Sequence, residues 1–178
     1  MQPRINNPAM TVPGAMEALQ KLGASHGVST ELFDAVDAVN QRRIGHVVSR
    51  LRSMQPQLEG VPIAVFGLTY KAGTSTLRRS ASLILIAELA AAGARVSAYD
   101  PLAQLDEGAD LPPFAMHRDP ATAAQGASAL ILMAPWPEDL PPRRAANLMA
   151  HPLVLDTGNH LDPKAAVAAG FEYHGVGR

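Results

Sequence analysis

The residues best suited to chemistry fall between Gly67 and Arg79. Tyr70, Lys71, Arg78 and Arg79 share this stretch with the hydroxyls of Thr69, Thr74, Ser75 and Thr76. Cations and hydroxyls crowded onto one short loop suit an anion. The flanking sequence says how such a loop is held. The apolar, largely β-branched run Ile63–Phe66 reads as a strand that ends at Gly67. From Ser80, a plausible N-cap, the residues Leu83, Ile84, Ile86, Ala87, Ala90 and Ala91 recur at helical spacing as far as the stop at Gly93. Arg95–Tyr99 is a second strand, closed by Asp100-Pro101. Strand, helix and strand make a right-handed βαβ unit, and such units take ligands at the carboxyl ends of their strands. The loop stands at such an end.

Other residues allow two readings each. Arg78 pins a phosphate, or pairs with a main-chain group or carboxylate at the helix start. Asp100 holds a ribose hydroxyl, as acids do in dinucleotide folds, or opens an ordinary Asp-Pro turn, which is the commoner role. Trp136, between Pro135 and Pro137 after an apolar strand, suits core or rim packing better than base stacking. The six histidines are scattered at 26, 46, 117, 151, 160 and 174 without paired ligand spacing, so no metal site is expected. Arg42, Arg43, Arg50 and Arg52 read as a solvated or dimer-rim helix face. There is no cysteine, which removes disulfides, thiolate metal sites and a cysteine nucleophile together.

The remainder of the chain supplies the scaffold. Residues 1–13, with three prolines, read as an extended lead-in, and Gly14–His26 as a first helix. Thr30 is placed to cap a helix that runs to about Met54, and 24 residues of helix span roughly 36 Å. That is too long for one small domain to cover, so this helix near 30–54 is expected to pack on a partner or on another domain. After the break at Pro56–Gly60 and the βαβ unit come a short strand at Phe114–His117 and a short helix at Pro120–Gln125. A buried strand follows at Ala129–Met133, then a Pro-interrupted helical stretch from Trp136 to about Met149. Strand Leu153–Leu155, helix Pro163–Ala169 and strand Phe171–Val176 complete the chain. The alternation predicts an α/β fold, a doubly wound, mostly parallel Rossmann-like sheet of five or six strands with helices on both faces, preceded by a long helical segment. The expected division is a lead-in at 1–13, a helical segment at 14–56 and an α/β domain at 57–178.

With 178 residues, a formal net charge of −1 and a pI near 6.6, no global field draws the chain to nucleic acid or a membrane surface. Its most apolar run, Ala81–Ala94, is shorter than a membrane span and carries Glu88. With no charged-then-apolar leader pattern at the N-terminus, a cytoplasmic location is expected.

Taken together, Gly67-Leu-Thr-Tyr-Lys-Ala-Gly-Thr74 with Arg78 and Ser80, Tyr99-Asp-Pro101, Trp136, Asp156 with Asn159, and Gly170–Arg178 resemble the C-terminal half of the UDP-glucose/GDP-mannose dehydrogenases. Asn40-Gln41-Arg42 is similar to the end of that family's central helix. The resemblance implies a dimerising helix followed by a domain that binds the nucleotide of a UDP-sugar, with Tyr70, Lys71, Thr74 and Arg78 at the substrate. The bland reading of Tyr70 and Lys71 is a tyrosine packed beneath a solvated lysine. The family's cofactor is NAD, held by a separate Rossmann domain. No Gly-x-Gly-x-x-Gly occurs here, so no cofactor is expected on this chain.

Departures from the family pattern bear on activity. The family oxidises through a cysteine in a pattern like Cys-x-Pro-Lys-Asp, and the resemblance of Met10–Leu19 puts Thr11 at that position, with Gly14 and Ala15 for the lysine and aspartate. Where the family has Thr-Asp-Asp-x-Arg-Glu-Ser-Pro, this chain has Thr74-Ser-Thr-Leu-Arg-Arg-Ser-Ala81. Where it has Asp-Gly-Arg-Asn, this chain has Asp156-Thr-Gly-Asn159. The expectation is a UDP-sugar-binding half that is catalytically incomplete alone, with no catalytic residue of its own. Two alternatives stand beside it. One is the substrate-binding subunit of a split NAD-dependent enzyme, partnered by a separate dinucleotide-binding chain; the other is a non-catalytic dimerisation or regulatory remnant.

Overall fold

The strands β1 (Pro62–Phe66), β2 (Arg95–Tyr99), β3 (Ala115–His117), β4 (Ala129–Leu132), β5 (Leu153–Asp156) and β6 (Glu172–Gly175) form one sheet in the order β3-β2-β1-β4-β5-β6. Every pairing is parallel. This is the doubly wound, Rossmann-like arrangement expected from the alternation of strands and helices. The computed structural model describes residues 13–69, 77, 80–104 and 111–176. The chain divides into two units, Met1–His46 and Val47–Arg178.

Within the second unit both faces of the sheet are buried, as all-parallel sheets require. Successive strand residues point to opposite faces. Ala64, Phe66, Tyr99, Leu130, Leu132 and Val154 share one apolar cluster with residues of α4 (Pro120–Ala124), α5 (Pro142–Leu148) and α6 (Pro163–Ala168). The alternate residues Ile63, Val65, Val96, Ala98, Ile131, Leu153 and Leu155 are no more than 5% exposed. From the sheet centre, the β1-to-β2 crossover runs one way and the β4-to-β5 crossover the other. Right-handed connections therefore put α3 (Ala81–Ala91) and α5 on opposite faces. α3 packs on β2 and buries Leu85, Ile86 and Leu89 completely.

Most sequence expectations hold to within a residue or two. The stretch after β4 differs: 133–141 forms no helix, and α5 begins only at Pro142. Pro135, Pro137 and Pro141 lack the N–H a helix needs and push each preceding residue out of the α region, so only the last proline group can open a helix. α4 and α6 instead start from Asp119 and Asp162, whose carboxylates accept first-turn N–H groups ahead of Pro120 and Pro163.

The first unit is a helical hairpin of α1 (Pro13–Ser25) and the first part of α2 (Glu31–Met54). Gln20 Nε2 donates to Asp34 Oδ1 at 2.6 Å. Thr30 precedes α2, but its hydroxyl donates to Asp34 Oδ2 at 3.4 Å. An apolar groove of about 420 Å³ is lined by residues that include Leu19, Leu22, Val28 and Phe33. Leu22, Val28 and Leu32 are more than half exposed. No helix among the described residues is long and apolar enough to cross a membrane.

Gly67 ends β1 with φ +94°, and a Cβ there would collide with the Cβ of Ala134 and stand 2.8 Å from its nitrogen. Both the left-handed backbone and the close approach demand glycine. Gly67→Ala is expected to destabilise the fold by roughly 2–4 kcal/mol, read as a lower urea midpoint at unchanged slope.

Candidate functional site at the carboxyl ends of the central strands

The strand order reverses between β1 and β4, and doubly wound sheets bind ligands outside the carboxyl ends of the strands at that reversal. Here the floor of the crevice is the contact between Gly67 and Ala134. The strand ends are held by continuing backbone pairing. Gly67 N–H donates to Tyr99 O at 2.8 Å, Met133 N–H to Phe66 O at 2.8 Å and Thr157 N–H to Leu132 O at 3.0 Å. Thr157 also turns its hydroxyl onto Leu132 O at 2.9 Å.

Asp100 joins the two loops on the β1 and β2 side. The residue is 3% exposed. Oδ2 accepts the N–H of Leu68 at 2.8 Å, the N–H of Thr69 at 2.9 Å and the Thr69 hydroxyl at 3.0 Å. Oδ1 accepts the N–H groups of Leu102 at 2.9 Å and Ala103 at 3.1 Å. The turn-opening role is thus present, and with it a long-range clamp that the sequence did not reveal. Burial alone would push this carboxyl up, but the bonds from Thr69, Leu102 and Leu68 together hold it below its ordinary range. Both oxygens are engaged by the protein's own groups, which leaves the ribose reading without support.

A second clamp closes the base of the same loop. Ser80, 1% exposed, donates its hydroxyl to Leu68 O at 2.5 Å and accepts the N–H of Ser82 at 3.1 Å. It therefore caps α3, as the sequence suggested, and also ties the start of α3 to the end of β1. Tyr70, Lys71, Thr74 and Arg78, the expected ligand residues, lie outside the described residues. Of their described neighbours, Leu68 and Thr69 are bonded to Asp100, Ser80 is bonded to Leu68 O, and buried Leu77 accepts the N–H of Ser80 on its carbonyl at 3.0 Å.

Opposite lies the Asp156–Asn159 segment. Asp156 is fully buried, and its carboxylate accepts the N–H groups of Gly158 and Leu161 and the hydroxyl of Tyr173. That makes it a shaper of the loop after β5. Asn159 sits in the left-handed region at φ 52° and donates Nδ2 to Val176 O at 3.3 Å. Its Oδ1 is buried without a hydrogen-bond partner among the described residues. Trp136 packs as expected: its ring centroid is 5.7 Å from Phe66 and 5.7 Å from Phe171. The indole N–H donates to Leu140 O at 2.6 Å. Among the described residues no group of three or more His, Asp or Glu side chains is arranged to hold a metal ion.

Two backbone sites that elsewhere receive phosphate are therefore filled internally. The amides just after β1 are taken by Asp100, and the Ser82 amide in the first turn of α3 is taken by Ser80. Asp100→Asn turns one acceptor into an N–H₂ facing N–H donors, and is expected to cost roughly 2–4 kcal/mol of stability in urea unfolding. The sign of the acid dependence follows from the lowered pKa. The Asp100 contribution is complete above the unfolded carboxyl's value of about 4 and is lost as pH falls through the lower folded value. The variant's deficit should therefore be constant above about pH 5 and shrink in stronger acid.

The family model for the UDP binding domain of the UDP-glucose/GDP-mannose dehydrogenase family matches residues 64–163, from within β1 to the start of α6. The UDP-glucose 6-dehydrogenase of Pseudomonas aeruginosa is 31% identical over 175 residues, covering 93% of this chain and 39% of that protein. UDP-glucose 6-dehydrogenase TuaD of Bacillus subtilis is 30% identical over 169 residues, covering 93% and 37%. An NDP-N-acetyl-D-galactosaminuronic acid dehydrogenase structure from Methanosarcina mazei superposes with a TM-score of 0.68 at 19% identity, over 84% of this chain and 31% of that one. That likeness shows the fold. The chain spans about two fifths of the length of the curated relatives it matches. By the matched span and the shared identity, the chain belongs to the UDP-glucose/GDP-mannose dehydrogenase family and comprises its UDP binding domain.

Proposed function

We propose that this chain binds the nucleotide of a UDP-sugar at the carboxyl ends of β1 and β4, using the side chains of Tyr70, Lys71, Thr74 and Arg78. The observation that carries this reading is the internal filling of the nearby amides by Asp100 and Ser80. A diphosphate at this edge then depends on side-chain cations, and the sequence between the two clamps supplies Lys71, Arg78 and Arg79. The relatives' names, as UDP-glucose 6-dehydrogenases, support a UDP-sugar as the ligand class.

Hydride transfer is not a property of these residues by themselves. It needs a nicotinamide held against the sugar carbon, and the 178 residues contain neither the Gly-x-Gly-x-x-Gly turn nor a cysteine. An NAD-binding chain supplying both remains the natural complement in this reading. The exposed Leu32 and Val39 of α2 favour a homodimer formed through that helix, since an isolated two-helix hairpin leaves them in water. Sedimentation equilibrium is expected to give a dimer that Leu32→Glu dissociates.

Calorimetric titration with UDP, UDP-glucose and NAD in parallel tests the ligand. Micromolar affinity for UDP or its sugar, no heat with NAD, and a roughly ten- to hundredfold weakening in Lys71→Ala are expected. Turnover of UDP-glucose with NAD by this chain alone would contradict the reading, as would the absence of UDP binding.

A further inference from the structure

At the β6 edge of the sheet, four side chains from three separate stretches of the sequence meet. Glu172 and His174 are two residues apart on β6 and so share a face of the strand. His174 Nε2 lies 3.0 Å from Glu172 Oε1, and His151 Nε2, from the turn before β5, lies 3.2 Å from Glu172 Oε2. From the last turns of α2, Arg50 Nη2 stands 3.3 Å from the remaining nitrogen of His174, Nδ1. None of this cluster belongs to the site at the carboxyl ends of β1 and β4.

The proton positions follow from the partners. A guanidinium only donates, so His174 Nδ1 accepts from Arg50; a carboxylate only accepts, so Nε2 carries the hydrogen that bonds Glu172. This is the neutral imidazole in its Nε2–H form. A second proton could go only to Nδ1. There it would end the bond from Arg50 and set imidazolium against guanidinium, while strengthening the pairing with Glu172.

We propose that His174 is a proton-operated fastener, which ties the carboxyl-terminal turns of α2 to the edge strand β6 when neutral and releases Arg50 when protonated. The charged and titratable groups facing it are Arg50 from α2, Glu172 from its own strand and, across Glu172, His151 from the turn before β5. Nδ1 can accept the bond from Arg50 only in the neutral ring, so the contribution of that bond is present where the ring is neutral and is lost where the ring is protonated. Imidazoles titrate between about pH 5 and 8. Glu172 stays ionised throughout that window, since the hydrogen bond from His174, and then the charges of both histidines, hold it below the ordinary carboxylate range. With His174 24% exposed and Glu172 49% exposed, the effect is modest.

A double-mutant cycle on the whole chain, with Arg50→Gln and His174→Gln read by urea unfolding at pH 8 and pH 5.5, tests this directly. At pH 8 the pair should couple favourably, by about two- to fivefold in the unfolding constant. At pH 5.5 the coupling should vanish or reverse. Long-range ¹H–¹⁵N spectra of the imidazoles should show His174 as the Nε2–H form at pH 8. Equal coupling at both pH values, no coupling at pH 8, or an Nδ1–H ring there would each overturn the proposal.

Discussion

One buried carboxylate sets the geometry on which the carboxyl edge of this domain's sheet depends. Asp100 lies at the end of β2, yet three of the five hydrogen bonds it accepts come from Leu68 and Thr69, just beyond β1. A buried anion is tolerated only where donors surround it, and here every donor is the chain's own. The consequence is twofold. The start of the loop after β1 is fixed to the neighbouring strand, and the amides that could cradle a phosphate are already engaged. Ser80 repeats the device at the loop's far end with a neutral hydroxyl.

The sheet makes that arrangement possible. Strands buried on both faces leave little freedom in where they end, so the loop origins inherit the rigidity of the core. Phe66, Tyr99, Trp136 and Phe171 form a chain of edge-on and tilted rings with centroids 5.5–5.7 Å apart directly beneath the strand ends. Each such contact adds about 0.5–1.5 kcal/mol beyond burial. Gly67 then permits the backbone just after β1 to approach Ala134 just after β4 more closely than any side chain at 67 would allow.

How far the sequence disclosed this depends on the range of the interaction. Local signals read well: the apolar run Ile63–Phe66, the serine cap at Ser80 and the glycine stop at Gly93 each act within a few residues. The three Asp-Pro pairs show the limit. Asp119-Pro120 and Asp162-Pro163 start helices, whereas Asp100-Pro101 latches a strand end some thirty residues upstream, and nothing within the dipeptide separates these fates. The helical stretch expected from Trp136 failed because three prolines outweighed apolar spacing. The meeting of His151, Glu172, His174 and Arg50 is a product of β5–β6 pairing and was invisible in a list of scattered histidines.

The chain is a member of the UDP-glucose/GDP-mannose dehydrogenase family, and Asp100 and Ser80 bond the described residues on either side of the stretch that follows β1. The most direct test is an amide ¹H–¹⁵N titration of the whole chain with UDP. The account predicts shifts concentrated at residues 70–80 and 133–136, while the Leu68 and Thr69 amides keep the downfield positions of bonds to Asp100. Shifts confined to the α1–α2 groove or the β3 edge, or loss of those two bonds on binding, would contradict it.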